Sequence, residues 1–475
     1  MNMYHRNLGD RQSGLYGEGE APAEPKPSSA GASTTRSNLG QVVFILPLDL
    51  KRIASLGLVI FGGSSMAFAD GNWPQWRGPN RDGHAAPQSL LKKWPERGPE
   101  LSWSFGNAGI GYASVSVEDN RLYTLGKRED KNLLICLDTK NGNENWTATM
   151  GRGANSKDYL TGWGDGPRSS PTLDGDFIYA LTDLGDLGCF QKTDGKAVWS
   201  LNLVSDYDGG IPKWGYSESV LIDGDRLIVT PGGKNFLIGL DKKTGKKIWE
   251  SDFSAGAQYV SVIKHTFGGV PVYLTACEQG LVGIHCDSGK LLFKNGSTGN
   301  GTAVIPTPIV SGDIVYHSSG YKAGNVAVKI SVKDGQLAVE QVYHESKESM
   351  ENHHGGFVLY DGAIIGFTKA LRGVWMAQDL ATGKVLWSKK IGKTQSGSIA
   401  IADGLVYCYD DQEGICYLAR ATRTGFEELG QVTLPEQTTS DRKQGAIWTH
   451  PVIAGQRLYI RDQEKIFAYD IAGSK

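Results

Sequence analysis

Four short segments gather the side chains that binding or proton chemistry needs: Trp163-Gly-Asp-Gly-Pro-Arg168, Trp214-Gly-Tyr-Ser-Glu218, Glu351-Asn-His-His-Gly-Gly356 and Ile447-Trp-Thr-His450. Histidine is the ordinary general base near neutral pH. Arginine and glutamate orient polar ligands, and tryptophan offers a flat apolar platform. The candidate ligand-binding residues are therefore Trp163, Arg168, Trp214, Tyr216, Glu218, His353, His354, Trp448 and His450. Adjacent residues on an extended segment point opposite ways, so at most one of His353 and His354 is expected to face a shared site. Arg168 and Glu218 have a plainer alternative as a buried ion pair across neighbouring loops. Asp206 and Asp208 carry oxygens of the kind calcium takes, without the rest of a calcium-loop motif, and no metal site is assigned. No residue stands out as catalytic.

Other chemistries leave no trace. The chain has no P-loop, G-x-S-x-G, H-E-x-x-H or dinucleotide fingerprint in a fitting context. Its six cysteines (136, 189, 277, 286, 408 and 416) include no adjacent pair and no C-x-x-C, which disfavours zinc and thioredoxin-like chemistry. They read as small core residues, with a Cys408–Cys416 bridge across a hairpin as the lesser alternative. Lys and Arg number 49 against 51 Asp and Glu, a net charge of -2, so there is no electrostatic footprint for nucleic acid. Forty per cent hydrophobic residues suffice for a large core, and 63 glycines with 12 Trp and 19 Tyr point to many short strands joined by tight turns.

A repeat positions the four segments. Asp138-x-x-Asn-Gly142 is followed by Trp146, Gln191-x-x-Asp-Gly195 by Trp199, Asp241-x-x-Thr-Gly245 by Trp249, and His285-x-x-Ser-Gly289 by Phe293. Ser331-x-x-Asp-Gly335 with Val339, Asp379-x-x-Thr-Gly383 with Trp387, and Ala421-x-x-Thr-Gly425 with Leu429 continue the series. The turn glycines recur every 42 to 53 residues. Each unit has an upstream hairpin with a tight turn, near 119, 174, 223, 268, 311, 361, 403 and 454. Four strands per repeat describe a propeller blade. The last unit lacks its fourth strand, and Leu101-Ser-Trp-Ser-Phe105 copies the missing pattern. The expectation is an all-β, eight-bladed β-propeller closed by an N-terminal strand. Loops before the inner strands then converge on one end of the central channel, and the four segments lie on such loops.

The run Ala377-x-Asp379-x-x-Thr382-Gly383-x-x-x-Trp387 resembles the tryptophan-docking motif of the pyrroloquinoline quinone (PQQ) repeat family. The similarity covers residues 101–470, and the motif is weak around Val339 and Leu429. That family includes eight-bladed quinoprotein dehydrogenases and the lipoprotein subunit of the outer-membrane β-barrel assembly machinery. The resemblance implies that Trp103, Trp146, Trp199, Trp249 and Trp387 are structural, packing between blades. It also implies one cofactor, PQQ with calcium, held in the catalytic members between a Trp and a disulfide of adjacent cysteines, with an Asp base. This sequence has no such cysteine pair, no recognisable metal set and no haem-attachment C-x-x-C-H. The expected role is therefore a binding or scaffolding module with a ligand or partner site at the funnel. The alternative is a periplasmic PQQ-dependent oxidoreductase acting on alcohols or sugars.

Residues 1–40 are polar and rich in Gly, Ser, Ala and Pro, and 1–50 read as a disordered extension, or as a start assigned too early. Lys51-Arg52, the apolar run 53–61 and Ala67-Phe68-Ala69 form a signal-peptide pattern over 51–69, with cleavage after Ala69. The location expected is periplasmic or secreted, with no membrane span after the signal is removed. Residues 70–100, including Trp73-Pro-Gln-Trp-Arg-Gly-Pro-Asn-Arg-Asp-Gly83, lack periodicity and read as an irregular strap over the ring of 101–475. Its partners would be an unidentified protein or small molecule, with the ring itself monomeric.

Overall fold

The computed structural model describes residues 71–392 and 396–473; the extension and signal segment lie outside them. The repeat folds as eight four-stranded antiparallel sheets. Blades 1 to 7 span 116–152, 172–202, 221–250, 263–295, 309–345, 357–389 and 397–433. Each runs from its inner strand outward, in chain order. The first two strands join through two-residue turns, with positive φ at Asp119 and Asn120, Asp361 and Gly362, or Asp403 and Gly404, the geometry that matches strand twist.

Blade 8 closes the ring. Its inner three strands are Val452–Ala454, Arg457–Asp462 and Lys465–Asp470, and the outermost is Glu100–Phe105. This N-terminal strand pairs antiparallel with the C-terminal one, Glu100 opposite Asp470 and Phe105 opposite Ile466. The joint to blade 1 is also pinned by the fully buried Arg461. Its guanidinium donates to Thr124 Oγ1 (2.8 Å) and to the carbonyls of Ala113 (3.0 Å) and Gly109 (3.0 Å).

Between blades, a β-bulge on the outer strand turns an aromatic onto its neighbour. Trp146, Trp199, Trp249, Trp387 and Trp103 all sit at this bulge. The indole of Trp103 lies on Gly142, that of Trp146 on Gly195, that of Trp199 on Gly245 and that of Trp249 on Gly289. A Cβ at any of these glycines would meet the ring within 3 Å. Trp103, Trp199 and Trp387 donate Nε1 to the carbonyls of Thr139 (2.7 Å), Lys242 (2.9 Å) and Thr422 (2.7 Å). Beside Trp146 and Trp249 the corresponding carbonyls, Lys192 and Cys286, accept instead from Arg121 (2.7 Å) and Arg226 (2.9 Å).

Two blades depart from the repeat. In blade 5 the outer hairpin is lengthened to Gly324–Lys333 and Gln336–Glu345, so the docking residue is Tyr343, four positions beyond Val339. Tyr343 stands at the bulge, packs on Gly383 and donates its hydroxyl to Leu380 O (2.9 Å). In blade 7 the bulge position is Gly430 rather than Leu429. The buried Trp94, from the segment before the ring, packs its Cβ and backbone on that glycine and donates its backbone N–H to Leu429 O (2.9 Å). The alternative of a Cys408–Cys416 bridge fails on register. Cys408 faces Tyr417 and Tyr409 faces Cys416, so the two sulfurs lie on opposite faces of the sheet. All six cysteines are free and buried.

Residues 71–85 do not lie over the ring as a strap; they plug the central channel. Trp73 bridges Val117 in blade 1, Pro74 O accepts from Leu173 N in blade 2, and Ala85 N donates to Ile401 O in blade 7. Gly455 N, at the first hairpin of blade 8, donates to Gly71 O (2.8 Å). The plug carries two buried arginines. Arg81 donates to Ser219 O (2.6 Å) and Val220 O (3.1 Å), and Arg77 to Phe357 O. Glu218 faces Arg81 from the blade 3 approach and accepts from Thr230 N (2.8 Å) and the Thr230 hydroxyl. Arg168 is not its partner, so the alternative of a buried Arg168–Glu218 ion pair is not met.

Replacing Trp103 by Ala is expected to lower the unfolding free energy by about 3 kcal/mol in urea titration. Trp94→Ala should cost about as much although it lies outside the repeats, and deletion of 100–105 should open the ring. Unchanged stability after that deletion would contradict the closure. A second expectation concerns Glu218. Burial pushes its carboxyl up to about 8 from the usual 4.5, against the pull of Thr230 N–H and Arg81. The folded state therefore holds the extra proton between those values, and stability falls as pH rises through that window. Glu218→Gln should flatten that fall; urea midpoints at about pH 5 and about pH 8.5 test it, and an unaltered slope in the variant refutes it.

Candidate functional site

A cavity of about 550 Å³ opens at the end of the ring where the approaches to the inner strands converge. All eight approaches reach it, through Tyr112, Trp163 and Arg168, Trp214, Tyr259, the stretch Thr302 to Ile305, His353 and His354, Ser396, and Trp448 with His450. Tyr321, Lys369, Asp411 and Gln412 enter from the loops joining second and third strands on the same end. The plug supplies Trp76. Its indole donates to Thr307 Oγ1 (3.1 Å) and stands edge-on to His450, with ring centroids 4.5 Å apart. With residues 71–85 filling the channel behind it, the cavity is a blind funnel.

Seven of the nine candidate residues line this cavity: Trp163, Arg168, Trp214, His353, His354, Trp448 and His450. Tyr216 and Glu218 do not. Gly215 adopts φ 82°, which breaks the extended alternation of the segment. Trp214 and Ser217 consequently face the cavity, while Tyr216 turns into the core and donates to Pro231 O (2.9 Å). The same reasoning applied to His353 and His354 fails for the opposite reason. The segment is not extended: Asn352 closes a turn by donating to Gly356 O (2.8 Å) and accepting from Gly356 N (2.9 Å). Both imidazoles therefore face the funnel, with centroids 3.8 Å apart. Gly355 permits that turn to sit against blade 7, since a Cβ there would meet Gly397 O at 1.6 Å.

The aromatic side chains form a connected wall. His354 stacks on Trp448 at 4.6 Å, Tyr112 lies 5.3 Å from the same indole, and Trp163 6.2 Å from it. Tyr321 OH bonds to His353 Nε2 at 2.7 Å. Arg168 lies over Tyr112 and directs its guanidinium to Trp214 O (2.8 Å) and Gly164 O (2.9 Å). Burial lowers His353 and His450 to about 3 and His354 well below the usual value, so the three rings are neutral at pH 7. Burial also pushes the Asp411 carboxyl up to about 7. Several buried polar atoms in this wall have no hydrogen-bond partner: Nδ1 of His353, His354 and His450, Nε1 of Trp214 and Oδ2 of Asp411.

These residues do not fit a calcium-bound quinone. Calcium takes about six to eight oxygen ligands, mainly carboxylates and carbonyls, whereas the wall offers one carboxylate, Asp411, against Arg168, Lys213 and Lys369. Among the described residues no cluster of His, Cys, Asp and Glu has metal-binding geometry. Asp206 lies within the helix Leu203–Tyr207 and accepts from the backbone N of its N-cap, Asn202 (2.9 Å), and Asp208 ends the helix in the left-handed region. Both are thereby engaged in local structure, and neither is a lining residue.

Sequence reasoning missed Trp76, Tyr112, Lys213, Tyr259, Tyr321, Lys369 and Asp411. Tyr112 and Tyr259 precede inner strands as Trp214 does, a positional signal that the repeat alignment contained. Trp76 lay in a visibly Trp-rich segment. Nothing local marks Tyr321, Lys369 or Asp411.

The family model for outer membrane protein assembly factor BamB matches residues 95–202 and 130–389. No curated protein matches the sequence. Among solved structures, BamB from Moraxella catarrhalis is similar at 15% identity and TM-score 0.53, over 78% of this chain and 99% of that one. Quinohemoprotein alcohol dehydrogenase ADHIIG from Pseudomonas putida HK5 is similar at 10% identity and TM-score 0.59, over 86% and 81%. The quinohemoprotein alcohol dehydrogenase of Comamonas testosteroni gives 12% and 0.59, over 85% and 81%. At such identities these likenesses concern the fold alone. With the repeat, the docking aromatics and the eight closed blades, the family match establishes that this chain belongs to the PQQ-like, BamB-related family of eight-bladed β-propellers.

Proposed function

We propose that this protein is an exported binding propeller that holds a small molecule in the blind funnel. The observation that carries the reading is the funnel itself: about 550 Å³, within the range of small-molecule sites, walled by aromatics and edged with buried polar atoms lacking partners. Buried polar groups are ordinarily satisfied, and leaving them unpaired costs about 1–3 kcal/mol each. A ligand supplying those hydrogen bonds recovers that cost. Trp163 and Trp448 provide stacking faces, the two histidines and Arg168 orient the ligand, and Trp76 closes the bottom. Export is supported by the signal-like segment 51–69 and by the name of the matching family model. No helix among the described residues is long and apolar enough to cross a membrane.

Native mass spectrometry and tryptophan fluorescence of the full chain test this. The titrants are PQQ with calcium and, separately, panels of aromatic carboxylates, nucleosides and saccharides. Saturable one-to-one binding of a panel member is expected, lost in Trp448→Ala with circular dichroism unchanged. Stoichiometric PQQ–calcium uptake with dye reduction by alcohols or sugars overturns the reading in favour of an oxidoreductase. Failure of every titrant to bind overturns the small-molecule reading itself.

A further inference from the structure

Resting on the reading of the funnel as a small-molecule site, its charge distribution specifies the class of ligand. Arg168, Lys213 and Lys369 all line the cavity, and among the described residues none has a carboxylate within salt-bridge distance. Arg168 donates to two carbonyls, and Lys213 Nζ lies 4.9 Å over the Trp214 ring. The nearby carboxylates outside the wall have their own partners: Asp165 pairs with Lys127 at 2.9 Å, and Asp183, on the Arg168 side, accepts from Asn132 (2.7 Å) and Tyr159 (2.5 Å). Glu351 accepts from Lys322 N at 3.0 Å and bears on Lys369 without reaching it. The lone carboxyl in the wall, Asp411, has one oxygen bonded by Gln412 Nε2 (3.3 Å) and the other unpartnered.

An excess of positive charge in a half-enclosed aromatic cavity is stabilised by an anion that enters it. The interaction is stronger there than at a free surface because water is partly excluded. The stacking faces of Trp448 and Trp163 set the shape, favouring a flat ring over a compact inorganic ion. A cationic ligand would meet three like charges. We propose that the funnel binds a small organic anion with a flat ring, a carboxylate or a phosphate ester, without a bound metal. Its acidic group would sit among Lys213, Lys369 and Arg168, and its ring against Trp448. Asp411 bears on the same end of the cavity. Where it keeps its proton it donates to the anion rather than repelling it.

Matched isosteres separate charge from shape. The full chain, in EDTA at neutral pH, is titrated with 2-naphthoate, 2-naphthyl phosphate, 2-naphthalenemethanol and 2-naphthylmethylammonium, following tryptophan fluorescence. At least one of the two anions is expected to bind about tenfold or more tightly than the alcohol, the difference that a charge-assisted hydrogen bond brings. The ammonium ion should bind most weakly. Lys213→Met with Lys369→Met should erase the preference, the anions losing about tenfold or more relative to the alcohol measured on the same variant. The carboxylate and phosphate arms distinguish the two acids. Binding of alcohol or ammonium as tight as that of both anions overturns the charge inference and leaves the funnel reading standing. Absence of binding by all four, with Trp448→Ala indistinguishable from the parent, overturns both.

Discussion

Five of the eight joints in the ring share one contact, an aromatic side chain (Trp103, Trp146, Trp199, Trp249 or Tyr343) laid on the turn glycine of the next blade. The bulge that carries the aromatic rotates it out of its own sheet, and the absent Cβ of glycine lets the ring approach. Where the indole N–H finds a carbonyl, as at Trp103 and Thr139, the contact also has a fixed direction. A blade cannot bury both faces alone, so each depends on its neighbours. Closure by Glu100–Phe105 couples the two ends of the chain and removes two open sheet edges. The substitutions for Trp are informative. Tyr343 answers a longer hairpin by moving four residues, and Trp94 reaches Gly430 from outside the repeat.

The cavity is a consequence of that ring and of the segment within it. An eight-bladed propeller has a central channel, and here residues 71–85 occupy it. Arg77 and Arg81 bond carbonyls at the inner strands of blades 6 and 3, which hold the plug to both sides. The plug converts a through-channel into a blind funnel and supplies Trp76 at the bottom. Burying arginine is costly unless its donors are satisfied, and the carbonyls do most of this. Burial lowers both guanidiniums to about 10, still protonated at pH 7. Structure and site are thus continuous, since the segment that braces the inner strands also completes the wall.

Family membership fixes the architecture and leaves chemistry to the funnel. The structural relatives include an assembly factor and alcohol dehydrogenases on similar rings, which illustrates that a propeller fold carries unrelated functions. The distinction lies in the wall. Neutral histidines, a single carboxyl and three cations make a surface suited to holding a ligand, while calcium would need several more oxygens.

The sequence by itself determined the repeat, the eight blades, the closing strand and the structural Trp positions, because these rest on short-range patterns: tight turns, strand alternation and fixed spacing. Seven of its nine candidates line the cavity, since a residue just before an inner strand must lie at one end of the ring. Tertiary structure alone decided which side chains turn inward. Gly215 reversed the alternation that would have brought Tyr216 and Glu218 into the funnel, and the Asn352 turn brought in both His353 and His354. Tertiary structure also revealed the plug and the contributions of Asp411, Lys369 and Tyr321. Those come from chain segments far apart in sequence, brought together only when the ring closes, and no local pattern records a contact made at that distance.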